Sequence, residues 1–558
     1  MARLSVRAVF GTGEGPLVTN ITGLRVENGV VHAATDAPGG LTAWRLAEAA
    51  TPARLDLQSF PSGVAPHAGG LWRMEAGSDA VLVLGGGAGA GLIGYAVDDA
   101  GRLGAAREFG PLPGRAAVTG LAEFAGDTVY VARAGGSGVE TYRIGGNDGL
   151  AARAGPVDTD EINADAPVAL TVLDGPRGAY LFVASGTERG LSAWRIDPAS
   201  GAPSHHGSAG ADTGVGVMEP TALAAFSAYG ADYALLGSAA NGSGMAGALS
   251  LFRVDAAGGL SPVDHLLDSS DTRFGRVQDV AVVGADDRHY VIAGGGDDGL
   301  SLFTLLPDGK LLHLHSLPDS FASGLSNVSA LAAARMGDEI QVIAAAQAEP
   351  GLTVLELSIA DQGQVLRAGD GGQALRGGAG DDLIAGGNDD DRLDGGAGDD
   401  ILVDGAGTDR LTGGPGADIF VLSADGATDR ILDFQPGLDR IDLTGFPGLY
   451  DPAQLTFNET GGGARIAWRG EVTEISRAGG GGLTIGEVFG GGFRAPHRPP
   501  IVVPTAPRPE DDDDDDGGTG GGRDIGGGDR GGGGNDGSGG GNDGSGGGND
   551  GSGGDGDP

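Results

Sequence analysis

The chain has 558 residues, no cysteine, 113 glycines and a formal net charge of −41 at pH 7. The lack of cysteine excludes disulfides and thiolate zinc sites. A chain this acidic is repelled by nucleic acid and by anionic lipid. We therefore expect cations rather than nucleic acid as its ligands. No stretch is apolar over the length that spans a bilayer, and the N-terminal residues lack the pattern of a Sec-type signal peptide.

The first part of the chain, residues 1–360, is internally repetitive. A glycine or alanine begins each copy of a short alternating strand, and the copies start 47 to 58 residues apart. The seven copies are GLTAWRL (40–46), GLIGYAV (91–97), GVETYRI (138–144), GLSAWRI (190–196), ALSLFRV (248–254), GLSLFTL (299–305) and GLTVLEL (351–357). A unit of about fifty residues with four short strands cannot bury both faces of its sheet alone, whereas radial packing buries them. The repeat therefore predicts an all-β fold that begins with a seven-bladed β-propeller.

One predicted strand stands outside these seven units. LSVRAVF (4–10) precedes the first blade, and we expect it to pair as the outer strand of the last blade. A β-sandwich or an irregular solenoid is the alternative fold. The repeat length and the GLSLF-type strand resemble the lactonase-like seven-bladed propellers, a likeness that implies a fold and leaves function open.

From Gly377 onward the sequence falls into strict nines. The units are GGAGDDLIA (377–385), GGNDDDRLD (386–394), GGAGDDILV (395–403), DGAGTDRLT (404–412) and GGPGADIFV (413–421), preceded by the weaker unit AGDGGQALR (368–376). Glycines permit sharp turns through positive φ, and aspartate oxygens suit a hard cation such as calcium. The apolar eighth positions are predicted to form a thin core: Ile384, Leu393, Leu402, Leu411 and Phe420.

These units resemble the nonapeptide of the repeats-in-toxin calcium-binding proteins, glycine-glycine-x-glycine-x-aspartate-x-apolar-x. The resemblance implies a parallel β-roll in which two nonapeptides make one coil, so that alternate units stack. Asp382, Asp400 and Asp418 would then lie on one edge of the roll, and Asp391 and Asp409 on the other. The residues expected to contact calcium are Gly377, Ala379, Asp382, Gly386, Asn388, Asp391, Gly395, Ala397, Asp400, Asp404, Ala406, Asp409 and Asp418.

The array is strongly acidic. Residues 369–442 contain 17 acidic and 5 basic side chains. Carboxylates stacked roughly 5 Å apart repel one another, and a core one side chain thick offsets little of that repulsion. We therefore expect calcium to be the cofactor that folds the array. The alternative is a flexible acidic linker rich in Asp-Gly.

The segments beyond the array extend the resemblance. FVLSADGATDRILDFQPGLDRIDLTGF (420–446) resembles the region after the roll in the serralysin C-terminal domain, and residues 464–477 indicate a capping hairpin. The likeness implies that residues 361–495 form a type I secretion module, unfolded in low-calcium cytosol and folded in the extracellular space or at the cell surface. Residues 496–558, with their repeated GGNDGSG, are predicted to form a disordered acidic glycine-rich tail.

Catalytic signatures are scarce. The sequence has no HExxH, GxSxG or GxxxxGK[ST], so no catalytic residue can be assigned. The channel mouth is the expected site of a propeller, and Asp165, Glu219, Arg276 and Asn327 are candidates to line it. Two functions stay open: a non-enzymatic secreted protein that binds an extracellular protein or a carbohydrate, and a secreted hydrolase acting on a lactone or similar ester. Converging carboxylates, histidines or arginines in the channel would favour the hydrolase.

Overall fold

The computed structural model describes residues 2–501, except 14–17, 37–38, 49, 62–69, 77–78, 86–91, 110–115, 146–148, 154–163, 211–214, 240–245, 348, 491–497 and 500. Nearly all of the predicted tail, residues 496–558, therefore lies outside the described residues. The first 28 strands form seven four-stranded antiparallel sheets, and twelve more strands form two further sheets. The predicted all-β architecture, a seven-bladed β-propeller followed by a parallel β-roll, is confirmed.

The blades follow one another along the chain. Blade 1 contains β2 (Ile21–Glu27), β3 (Val30–Thr35), β4 (Gly40–Arg45) and β5 (Ala53–Ser59). Blade 2 contains β6 (Trp72–Ala76), β7 (Asp79–Gly85), β8 (Leu92–Val97) and β9 (Leu103–Phe109). Blade 3 contains β10 (Val118–Phe124), β11 (Thr128–Arg133), β12 (Glu140–Ile144) and β13 (Leu150–Arg153). Blade 4 contains β14 (Pro167–Gly175), β15 (Gly178–Ser185), β16 (Gly190–Ile196) and β17 (Pro203–Gly210). Blade 5 contains β18 (Glu219–Ala228), β19 (Ala231–Ala239), β20 (Gly247–Val254) and β21 (Leu260–Leu267). Blade 6 contains β22 (Asp279–Ala285), β23 (Arg288–Gly294), β24 (Gly299–Leu305) and β25 (Leu311–Pro318). Blade 7 contains β26 (Val328–Met336), β27 (Glu339–Ala346), β28 (Leu352–Ser358) and β1 (Leu4–Phe10).

The repeated segment forms the third strand of every blade. In β24 all seven residues are buried, because the strand lies between neighbours in its own sheet and between two blades. The ring closes where β2 contacts β26 and β1 adds to blade 7. β1 pairs antiparallel with β28, from Leu4 opposite Leu357 to Phe10 opposite Leu352. The predicted closing strand is confirmed.

A partly buried cluster of ion pairs links that closing strand to the rest of blade 7. Arg7 donates from Nε to Glu356 Oε2 at 2.9 Å and from Nη1 to Glu339 Oε1 at 2.8 Å. Glu339 and Glu356 belong to the two neighbouring strands of blade 7, so one arginine links three strands. These contacts raise the pKa of the Arg7 guanidinium, and they lower the pKa of the Glu339 carboxyl.

The remaining strands build the roll. Its propeller-side sheet is parallel and contains β29 (Gln362–Arg367), β31 (Asp381–Ala385), β33 (Ile401–Val403), β35 (Ile419–Val421) and β37 (Arg440–Asp442). Its outer sheet contains β30 (Ala374–Arg376), β32 (Arg392–Asp394), β34 (Arg410–Thr412), β36 (Thr428–Phe434), β40 (Glu471–Arg477), β39 (Gly463–Trp468) and β38 (Thr456–Thr460). A 3-10 helix (Pro452–Gln454) precedes β38, and α1 (Ile485–Phe489) follows β40.

The register of the roll is set by the eighth positions. Ile384 pairs with Leu402 and Leu402 with Phe420, whereas Leu393 pairs with Leu411, so units two apart stack as expected. All five side chains are fully buried in one cluster. β39 and β40 pair antiparallel, which confirms the capping hairpin, and β40 also continues the outer sheet parallel to β36.

The propeller-side sheet packs against the propeller. One buried cluster contains residues of both parts, among them Leu383, Ile401, Val403 and Ile419 of the roll and Leu4, Tyr290 and Leu314 of the propeller. Polar contacts border it: Tyr290 Oη donates to Gln362 Oε1 at 3.0 Å, and Arg440 Nη2 donates to the His313 carbonyl at 2.6 Å. The sequence carries a signal for this, since the seventh positions of alternate units are apolar in Leu383, Ile401 and Ile419 but arginine in Arg392 and Arg410.

Candidate calcium-binding site

Glycine backbones bring the coils of the roll together. Four second-position glycines have φ between +97° and +107°, a backbone region that residues with a β-carbon rarely adopt: Gly387, Gly396, Gly405 and Gly414. A β-carbon on Gly405 would lie 2.1 Å from the Gly387 carbonyl oxygen. Only glycine therefore permits both the turn and the close approach of consecutive coils at this position.

The sixth-position aspartates of alternate units, beginning with Asp382, form one ladder. The backbone amide of Asp382 donates to Asp400 Oδ1 at 2.7 Å, and that of Asp400 donates to Asp418 Oδ1 at 2.9 Å. The amide of Asp418 donates in turn to Asp439 Oδ1 at 3.1 Å. Each carboxylate is thus held by the backbone of the coil before it.

A second ladder runs along the other edge. The amide of Gln373, in the weak first unit, donates to Asp391 Oδ1 at 2.6 Å. Asp391 donates to Asp409 Oδ1 at 2.6 Å, and Asp409 donates to Asp429 Oδ1 at 3.0 Å. The structure therefore places the five predicted aspartates in the two columns that the repeat predicts.

The second oxygen of these carboxylates is the unusual feature. Oδ2 of Asp391, Asp400, Asp409 and Asp418 is buried and has no hydrogen-bond partner among the described residues. The four residues are at most 4% exposed. A buried charged oxygen without a partner is costly, so these atoms call for a cation or a proton. Asp382 differs, because its Oδ2 accepts from the Gly378 amide at 2.5 Å.

Backbone carbonyls approach the second oxygens of the ladder carboxylates, that of Asp382 included. The position of a β-carbon on Gly377 is 2.1 Å from the Gly395 carbonyl and 2.3 Å from Asp382 Oδ2. The corresponding position on Gly395 is 2.6 Å from the Gly413 carbonyl and 2.2 Å from Asp400 Oδ2. First-position carbonyls and sixth-position carboxylates thus converge beside a glycine that leaves the space open.

Burial also shifts the protonation of the ladder. Desolvation raises the pKa of Asp400, Asp409 and Asp418 to about 7, and that of Asp429 and Asp439 to about 6. Neighbouring carboxylates add to this effect, while the backbone hydrogen bonds oppose it. Without a cation, Asp400, Asp409 and Asp418 therefore titrate near neutral pH in the folded roll, and Asp429 and Asp439 titrate about one pH unit lower.

The donor set suits calcium. Within the described residues, no three acidic or imidazole side chains converge on one point, so carboxylates alone would not complete a site. Calcium takes six to eight oxygens at about 2.3–2.6 Å, including backbone carbonyls. Carboxylate oxygens without partners beside converging carbonyls supply that kind of ligand, with no sulfur or nitrogen among them.

The other predicted contact residues have varied surroundings. Asp404 is buried, and its carboxylate accepts from the amides of Gly405 at 2.5 Å and Ser423 at 2.9 Å. Its carbonyl lies beside Gly386, where Asp391 Oδ2 also approaches. Among the third positions, Asn388 and Ala406 form an isolated parallel bridge. The amide of Ala397 donates to the Gly378 carbonyl at 3.0 Å.

Two ladder residues escape the nonapeptide pattern. Asp429 and Asp439 extend the ladders, although they lie 20 and 21 residues after Asp409 and Asp418 instead of 18. A sequence signal exists, because an aspartate-arginine-apolar tripeptide recurs at Asp391, Asp409, Asp429 and Asp439. The longer insertions between these copies hide it from a search for strict nines.

The channel candidates are only partly brought together. Arg276 and Asn327 both lie beside Gly296 and both have positive φ. Asn327 Nδ2 donates to Gln347 Oε1 at 2.8 Å. Asp165 instead forms an isolated bridge with Ser137, and Glu219 begins β18 opposite Ala239. These contacts give no common set of side chains for the four residues.

Comparisons with known proteins give one family match and distant structural matches. The family described as Peptidase M10 serralysin C terminal matches residues 372–471. A Lactobacillus plantarum protein is 16% identical, with a TM-score of 0.40, and the match covers 57% of this chain and 96% of that one. A Bacteroides fragilis protein provisionally named a 6-phosphogluconolactonase is 14% identical, with a TM-score of 0.41, over 59% of this chain and 96% of that one. No curated protein matches the sequence.

No helix in the described part of the chain has the length and hydropathy to cross a membrane. The strand pairing defines the propeller by itself, so the fold does not depend on the distant structural matches. The aspartate ladders and the family match coincide in the same residues. Residues 372–471 therefore match the serralysin C-terminal family of repeats-in-toxin type, and they follow a seven-bladed propeller in the same chain.

Proposed function

We propose that this chain is a secreted calcium-binding protein whose β-roll folds around calcium and whose propeller is a non-catalytic interaction module. The supporting observation is the set of four buried carboxylate oxygens, two in each ladder, that have no hydrogen-bond partner among the described residues. A divalent cation beside each would offset the cost of burying these charges. The family of the roll is one of calcium-binding repeats, which points to the same cation.

The proposed ligands follow the position in the nonapeptide. Sixth positions supply carboxylates, and first and third positions supply backbone carbonyls. The proposed calcium contacts are Gly377, Ala379, Asp382, Gly386, Asn388, Asp391, Gly395, Ala397, Asp400, Asp404, Ala406, Asp409 and Asp418, extended by Asp429 and Asp439 at the end of the ladders.

Calcium would also determine when the roll folds. In the low-calcium cytosol the repelling carboxylates keep the roll unfolded for type I export, and extracellular calcium then folds it. We propose the division 1–360 for the propeller, 361–495 for the roll with its cap, and 496–558 for an acidic tail. The apolar contact between roll and propeller then forms only after export.

A calcium titration of the full chain tests this function. Isothermal titration calorimetry should show saturable binding of several calcium ions, and far-UV circular dichroism should show a gain of β-structure over the same concentrations. Magnesium is the matched control, because it resists dehydration and prefers octahedral sites that keep water ligands. Full β-structure in excess chelator, unchanged by calcium, would contradict the proposal.

A second measurement tests the non-catalytic role of the propeller. The full chain with calcium is incubated with simple lactones and esters, and their hydrolysis is followed by acid release. We expect rates equal to those of a heat-denatured sample. Turnover that saturates with substrate would show instead that the protein is a hydrolase.

A further inference from the structure

The outer sheet of the roll carries a column of arginines. Arg392 pairs with Arg410, Arg410 with Arg430, and Arg430 with Glu474, whose other neighbour across the sheet is Arg465. These residues alternate with the buried Leu393, Leu411 and Ile431, so their side chains lie on the face away from the roll core. We call Arg392, Arg410, Arg430 and Arg465 the arginine column.

Most of the charge in this column is not neutralised. Arg430 pairs with Glu474 at 2.8 Å, but Arg392, Arg410 and Arg465 are exposed and make no ion pair with a described residue. Like charges on directly neighbouring strands are destabilising. Acidic residues outnumber basic ones by 76 to 35 in this chain, so a cluster of unpaired arginines departs from its overall composition.

Acidic residues near Arg392 in the sequence are engaged elsewhere, and Asp394 forms an ion pair with Arg376 at 3.7 Å. Asp389 Oδ2 accepts from the Gly371 amide at 2.8 Å, and Asp390 Oδ1 accepts from the Thr408 amide at 2.8 Å. Both carboxylates therefore hold the turns of the roll. Calcium in the ladders would offset the remaining negative charge beside the column, and to that extent the inference rests on the proposed function.

We propose that the arginine column binds an acidic polysaccharide, one that carries a carboxylate or sulfate on each repeating unit. Arginine forms bidentate, charge-assisted hydrogen bonds with such groups. The column is open to a chain lying across the strands, where adjacent side chains are spaced by about 4.8 Å. Acidic groups along the polymer would then meet guanidinium groups on neighbouring strands at Arg392, Arg410 and Arg430, and again at Arg465 beyond Glu474.

The overall charge selects this class of partner. Duplex DNA carries one charge per roughly 1.7 Å, and the acidic body of the protein would repel so dense a polyanion. A flat anionic membrane would meet the same repulsion over a wide area. A polysaccharide is a single thin chain with sparser charge, so it can contact the column alone.

The test measures binding of hyaluronate, chondroitin sulfate and neutral dextran to the full chain in millimolar calcium. We expect saturable binding of at least one acidic polymer, weakening with salt, and none of dextran. The triple variant Arg392→Ser, Arg410→Ser, Arg465→Ser should bind at least about tenfold more weakly and with a shallower salt dependence.

The matched control makes the same charge change elsewhere. Arg54→Ser, Arg195→Ser and Arg253→Ser alter exposed propeller residues, and this variant should bind within twofold of the unaltered chain. An equal loss in both variants, or no binding of either acidic polymer, would overturn the inference. Circular dichroism of the same samples tests calcium-induced folding separately. If folding proves independent of calcium while only the column variant loses binding, the proposed function fails and this inference stands.

Discussion

Arg288 of the propeller donates from Nη2 to the backbone carbonyl of Asp381 at 2.7 Å, one residue before the first aspartate of the ladder. Arg288 is almost fully buried, and apolar residues of the propeller-side sheet form one buried cluster with residues of blades 6 and 7. Unfolding of the roll would therefore break this hydrogen bond and expose the propeller side of the shared cluster.

Removing a side chain from this shared cluster should destabilise the protein in calcium. Ile401→Ala deletes a buried side chain that is 2% exposed, and the expected loss is about 2–5 kcal/mol in the free energy of unfolding. Leu432→Ala is the control, since Leu432 is 37% exposed on the outer sheet and should cost less than about 1 kcal/mol. Denaturant melts followed by circular dichroism distinguish the two. Equal losses would show that the contact with the propeller adds nothing.

Neutralising a ladder carboxylate should have opposite effects with and without calcium. Asp400→Asn keeps an oxygen for the Asp382 amide but removes the charge, so calcium affinity should fall about tenfold or more. In excess chelator, where the unaltered roll is unfolded, the same variant should show more residual roll structure, because one repelling charge is gone. Asp338→Asn, at an exposed propeller position, is the control. A loss of stability in both conditions would mean that Asp400 has only a structural role.

The roll should tolerate a β-carbon only where space exists. Gly405→Ala places a methyl group 2.1 Å from the Gly387 carbonyl at φ +98°, so we expect no folded roll even in calcium. Gly437→Ala is the matched control, because Gly437 has φ +82° but no atom within 4 Å. It should cost only the backbone strain, about 1 kcal/mol. Calcium-dependent circular dichroism of both variants provides the comparison.

Calcium affinity should fall as the pH falls. The folded-state pKa of Asp400, Asp409 and Asp418 is raised to about 7 from 3.8, so the metal-free fold binds protons more tightly than the unfolded chain. That proton-linked stability is fully present below pH 3.8 and is lost as the pH rises through about 7. Calcium must displace these protons, so calorimetry should give an affinity at least about tenfold weaker at pH 5.5 than at pH 8. A constant affinity would exclude proton displacement.

Sequence periodicity predicted most of the fold, because each strand repeats in a pattern that local chemistry imposes. The seven blades, the closing strand at Leu4–Phe10 and the buried column from Ile384 to Phe420 all follow from residue spacing. The ladder extension at Asp429 and Asp439 was missed because the intervening turns lengthen there. The contact between Arg288 and Asp381 joins residues 93 positions apart, and no local pattern specifies such a pairing.

Hydrogen exchange of the full chain, read by mass spectrometry with calcium and with excess chelator, tests most directly whether the cation folds the roll. With calcium, the amides of Asp382, Asp391, Asp400 and Asp409 should be protected, because each donates to a carboxylate of the next coil. With chelator, they should exchange as in an unfolded chain, while β11 and β15 in distant blades remain protected. Equal protection of the four amides in both conditions would contradict the account.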